Sequence, residues 1–131
     1  MGTTHFLSVD LDVESRDELA PFINALGSQA FALSPHTQGA MARVSLELTS
    51  HLDDADSSLA KFVELIASLP SEVRSVWDRA SVRDLNVGIQ GGTEPHEFVT
   101  TLTVATLRAV ADIGARVLFT VYRASSETEP A

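Results

Sequence analysis

Apolar and polar residues alternate from Leu7 to Val13, the period of two that marks a strand buried on one side. Leu7, Val9, Leu11 and Val13 are assigned to the core. Ser8, Asp10 and Asp12 take the other face, and Phe6 and Glu14 join them by parity. Ser15 and Glu18 then have the spacing of a capping box, which predicts a helix carrying Leu19, Phe22, Ile23 and Leu26 on one side and ending at Gly27. "AFALSPH" predicts a short second strand, held to an edge or an end by Pro35. "ARVSLELTS" predicts a third, with Val44, Leu46 and Leu48 inward and Arg43, Ser45, Glu47 and Thr49 outward.

The acidic stretch "DDADSS" offers N-caps for a helix bearing Leu59, Phe62, Val63, Ile66 and Leu69. Pro70 breaks it, and Ser71 is placed to cap a shorter helix with Val73, Val76, Trp77 and Ala80, where Trp77 reads as core packing. "VRDLNVGIQ" predicts a fourth strand with Leu85, Val87 and Ile89 on one face. A final helix is expected through Phe98, Leu102, Ala105, Ala109 and Ile113, closed by Gly114, before the strand "RVLFTVYR". That strand has two registers open to it. In one, Val117, Phe119 and Val121 face inward and Leu118, Thr120 and Tyr122 outward.

The order β-α-β-β-α-β-α-β predicts an α+β fold: a ferredoxin-like β-α-β-β-α-β core extended by a further α-β, with a mostly antiparallel sheet and helices on one face. Residues 1–124 read as a single domain and 125–131, "SSETEPA", as a mobile C-terminal tail.

"NVGIQGGTEPHEF" resembles a strand, a glycine turn and a helix start, the setting of a phosphate cradle. Gly88, Gly91 and Gly92 match neither the P-loop nor the dinucleotide spacing, and no lysine follows them. Glu94 and Glu97 would oppose an anion there. The glycines read as a tight exit from the strand, with Gly88 marking a bulge or a close approach.

Composition narrows the function classes. With no cysteine among 131 residues, the chain has no disulfide, thiolate metal site or cysteine nucleophile, which fits a cytoplasmic location. No secretory signal or membrane-spanning run is read, and Phe6 stands where a myristoylation motif requires Ser or Thr. Eighteen acids against nine bases give a net charge of −9, and the bases are scattered, so nucleic acid is not an expected partner and a basic protein is. No cofactor is expected.

Asp10, Asp12 and Glu14 recur at steps of about 6.5–7 Å along one strand face, as a solvated surface, an acidic patch for a basic partner, or the seed of a divalent-metal site. With Phe6 and Tyr122 added, the face has the mix of aromatic and charged groups found at protein-binding surfaces; a homodimer through the sheet is the other reading. His5, His36 and His96 are expected along one sheet edge, where three imidazoles could bind zinc, and His51 at the opposite edge near Glu14. No GxSxG elbow or SxxK motif is present, so no catalytic residue is assigned and the chain reads as a non-enzyme rather than an enzyme.

The opening strand, the helix ending "ALG", the central helix ending "IASLP" and the closing "DIGARVLFTVY" resemble a family of small bacterial α+β domains of unknown function. The resemblance implies an immunity-like or accessory role beside bacterial toxins, and no functional residue is carried over with it. The leading expectation is a soluble protein-interaction module, toxin-immunity-like, using an acidic sheet face. The alternative is a small-ligand or divalent-metal-binding protein, with an enzyme as one form of it.

Overall fold

A computed structural model describes residues 2–124, apart from the side chains of Ser34, His36 and Gln38. The expected tail, 125–131, lies outside the described residues. Five strands and four helices follow in the order β1 (His5–Ser15), α1 (Ala20–Leu26), β2 (Ala30–Gln38), β3 (Met41–Leu48), α2 (Ala55–Ala67), α3 (Ser71–Arg79), β4 (Val82–Gln90), α4 (Val104–Asp112) and β5 (Arg116–Tyr122). The fold is α+β, with one open sheet in the order β2-β3-β1-β4-β5. Every pairing is antiparallel except β4 with β5, which run parallel with α4 as their crossover.

The core forms where the inward rows of β1, β3 and β4 meet the helices. Val9, Leu11, Val13, Val44, Leu46, Leu85 and Val87 pack with Phe22 of α1, Leu59, Phe62 and Ile66 of α2, and Trp77 of α3. Trp77 is fully buried, stacks on Phe22 at 5.8 Å between ring centroids, and donates its indole N–H to Ile113 O at 2.8 Å. It therefore ties α3 to α1 and to the end of α4, the core role read from sequence. Asp54 caps α2 by accepting from Ser57 N at 2.7 Å, and the helix stops before Pro70 as expected.

Two helix starts differ from expectation. Ser15 ends β1 and its hydroxyl accepts from Asp17 N, while α1 begins at Ala20. The capping box does not form because Pro21, which has no N–H to offer, sets the first turn further along the chain. The last helix also starts late. Segment 91–103 is irregular, and Thr103 caps α4 by accepting from Thr106 N at 3.2 Å while its own amide donates to Asp56 Oδ1 at 2.7 Å. Asp56 thus fixes the start of α4 from α2. Phe98 and Leu102 fit the helical period but precede the helix.

Candidate functional site

The site lies on the face of the sheet opposite the core. Register places Asp10 beside Glu47 of β3 and Asn86 of β4, Asp12 beside Ser45 and Asp84, and Glu14 beside Arg43 and Val82. Five carboxylates, Glu47, Asp10, Asp12, Asp84 and Glu14, thus occupy neighbouring positions on three strands. Like charges directly opposite across a pair, such as Asp12 and Asp84, destabilise a sheet unless something offsets them. Here Ser45 donates to Asp12 Oδ1 at 2.6 Å, and Arg43 meets Glu14 at 2.9 Å. Arg116 of β5 grips both oxygens of Asp84 at 2.8 Å. Among the described residues, Asp10 alone has a buried side-chain oxygen, Oδ1, with no hydrogen-bond partner.

Four of the carboxylates line a shallow cavity of about 570 Å³, with Asp10, Asp12, Glu14, Arg43, Ser45 and Asp84 on its walls. A second cavity of about 290 Å³ adjoins it at Asp10 and is lined by Leu7, Ser8, Asn86, Gly88 and Tyr122. Of the residues expected on this face, Asp10, Asp12, Glu14 and Tyr122 are there. Tyr122 arrives because Val117 pairs with Leu85, which fixes the register of β5 that turns Tyr122 outward.

Phe6 is not on this face. The pairing of β1 with β4 shifts between Phe6 and Ser8, so Phe6 opposes the buried Ile89 while Ser8 opposes Gly88, and Leu7 is the extra residue of a bulge. The bulge inverts the alternation: Phe6 packs on the core and Leu7 replaces it in the cavity wall. A Cβ at Gly88 would lie 3.4 Å from Ser8 O and 3.7 Å from the Tyr122 ring, ordinary contact distances, so the bulge does not depend on glycine there.

His5 and His36 do not share an end of the sheet. His36 pairs with Arg43, which pairs with Glu14, whereas His5 pairs with Gln90 at the start of β1. Nine residues of β1 separate those levels, about 30 Å along the strand. His5 Nδ1 lies 2.7 Å from Thr3 O and must donate to it, since a carbonyl can only accept. His51 stacks on Phe6 at 6.3 Å, at the His5 end and not beside Glu14. Among the described residues, no three His, Asp or Glu side chains converge to hold a metal ion.

The glycine segment after β4 has its amides engaged. Gly91 N donates to Tyr122 O at 2.6 Å, Gly92 N to Thr4 Oγ1 at 3.0 Å, and Thr93 N to Gly2 O at 3.0 Å. The helix expected to follow directly is not there, so neither the convergent amides nor the helix dipole of a phosphate cradle exists at this point.

Sequence reasoning missed Asp84, Asn86, Leu7 and Arg116 as site residues, and read Arg43, Ser45 and Glu47 as outward without placing them in the site. The first two were within reach, since fixing Leu85, Val87 and Ile89 inward turns Asp84 and Asn86 outward. Leu7 was hidden by the bulge, and Arg116 by the open register of its strand. No family model matches the chain, and no curated protein or solved structure does either.

Burial, then the neighbouring Glu47 and Asp12 charges, push the Asp10 carboxyl up from 3.8 to about 6. The folded state therefore holds a proton that the unfolded chain releases near pH 4. Stability falls as pH rises from about 4 to about 6 and is level above that. A shift of this size corresponds to about 3 kcal/mol for a fully buried group, and solvent screening at this partly exposed position reduces it to about 1 kcal/mol. Asp10→Asn is expected to be more stable than the parent by about 1 kcal/mol near neutral pH, with the gap closing toward pH 4. Urea midpoints of both proteins across that range measure it. A gap independent of pH would refute the assignment.

Proposed function

We propose that the open sheet face is a protein-interaction surface for a basic partner. The observation that carries this is the set of five carboxylates in adjacent registers beside two arginines, four of them around a concave surface that continues to Leu7 and Tyr122. Such a field attracts a cationic surface and speeds its approach, and the apolar margin contributes contact area once it has docked. Asp10 holds a buried oxygen that an incoming Lys or Arg could satisfy. A toxin-neutralising, immunity-like role is the biological setting this chemistry fits.

The order β2-β3-β1-β4 supports a ferredoxin-like core to which α4 and β5 are added. In that arrangement the helices cover one face and leave the other open for a partner.

The test is a pull-down from host lysate by the parent and by the double variant Asp10→Lys with Asp12→Lys, each washed at low and then at high salt. One basic protein should be retained by the parent, released by salt, and reduced at least tenfold on the variant, whose circular dichroism should be unchanged. Equal retention by both proteins would rule the face out.

A further inference from the structure

The two edges of the sheet are built differently. On β2, Pro35 removes a donor and the pairing with β3 slips between Leu33 and His36, two devices that keep an edge from recruiting another strand. On β5, no proline, glycine or charge interrupts Val117 to Tyr122. Phe119, Val121 and Tyr122 are 52%, 61% and 52% exposed. Phe119 and Val121 face the same side as the buried Val87 and Ile89, yet remain uncovered there. Tyr122 O accepts from Gly91 N of the neighbouring segment, so the backbone groups of Tyr122, and by alternation of Thr120 and Leu118, point toward β4. Those of Val117, Phe119 and Val121 point away from the sheet.

We propose that β5 pairs antiparallel with β5 of a second copy, about a two-fold axis through Phe119, joining the two sheets into one. The sequence of the strand is self-complementary in this register. Phe119 opposes its counterpart, Val117 opposes Val121, Leu118 opposes Thr120, and Arg116 opposes Tyr122, so the whole strand is used. The outward-pointing backbone groups fall on the Phe119–Phe119 and Val117–Val121 pairs, as a hydrogen-bonded antiparallel ladder requires. Apolar side chains meet apolar ones, and each Arg116 lies beside an aromatic ring. Moving the two-fold axis to Thr120 would set Val117 against Arg123 and break the match.

Charge also selects a second copy as the occupant. Two molecules of net charge −9 repel, but the stretch from Ile113 to Ala124 contains two arginines and no acid. This edge is where two copies can meet without opposing carboxylates. The inference rests on the edge of the sheet, which shares Arg116 and Tyr122 with the acidic face but none of the carboxylates that carry that reading.

Since the chain has no cysteine, Phe119→Cys introduces a single thiol. At the two-fold axis of a hydrogen-bonded antiparallel pair the two Cα atoms lie about 5.5 Å apart, within disulfide range. Mild oxidation should therefore convert Phe119→Cys to a covalent dimer, whereas Phe31→Cys, on the exposed part of β2, should stay monomeric. Light scattering on the full chain should show the mass doubling as concentration rises from micromolar to millimolar. Phe119→Lys, which sets lysine against lysine at an exposed position, should abolish that doubling without changing circular dichroism. A parent chain that is monomeric throughout, a Phe119→Cys that fails to cross-link, or a dimer that survives Phe119→Lys would each overturn the proposal.

Discussion

Trp77→Ala is expected to destabilise the domain by about 4 kcal/mol, in the range for truncating a large buried aromatic. The indole is fully buried, stacks on Phe22, and supplies the donor for Ile113 O. Truncation would leave a cavity among α1, α3 and the end of α4, and would strip a carbonyl of its partner where water cannot easily replace it. A loss of this size is a large share of a typical domain's total stability. Trp77→Phe separates the contributions, because it keeps most of the apolar volume and deletes the donor. It should cost about 1–2 kcal/mol. Urea denaturation followed by circular dichroism measures both. Equal losses would place the effect in the hydrogen bond; a loss below about 1 kcal/mol for Trp77→Ala would mean that the core closes around the gap.

Gly92→Ala is expected to cost about 2 kcal/mol, within the range for overpacking. A Cβ at that position would lie 2.5 Å from Gly2 O and 2.9 Å from Thr3 C, both backbone atoms that no rotamer change can move aside. The N-terminal segment would have to withdraw. With it would go the bonds from Thr93 N to Gly2 O and from Gly92 N to Thr4 Oγ1. Because this segment adjoins the start of β1, hydrogen exchange should speed up at Thr4, Gly92 and Thr93 while the amides of β3 stay protected. The contrast is with Gly39, whose added Cβ would meet nothing within 4 Å and whose φ of +61° is the only obstacle. Matching exchange patterns for alanine at Gly92 and Gly39 would contradict the close approach.

The strands were legible where one face is buried and the alternation unbroken. Val9, Leu11 and Val13 opposite Asp10, Asp12 and Glu14 needed only the period of two, and the same logic oriented β3 and β4. Pro70 and Gly27 announced helix ends because each acts through its own backbone chemistry. Errors arose where a tertiary partner decides. Nothing near Phe98 shows that Asp56, 47 residues before Thr103, fixes the start of α4. Nothing in "HFLS" shows which residue stands out of register, because the bulge belongs to the pairing of β1 with β4. The histidine expectation failed for a related reason. β1 and β2 both run antiparallel to β3 and so parallel to each other, which puts the end of β2 level with the end of β1 and away from His5.

A residue slip in a central strand ordinarily turns over every side chain beyond it. The bulge at Leu7 makes one position of β1 exempt. Removing Leu7 would bring Phe6 directly before Ser8, opposite Ile89 and Gly88 in unbroken succession, with each keeping the face it already has. The strand can thus be one residue longer or shorter here with the core composition intact, and the change would be felt only in the cavity wall that Leu7 shares with Tyr122. In evolutionary terms the bulge is an expansion joint: a place where insertion and deletion, and not only substitution, can remodel the open face while the hydrophobic frame stays in phase.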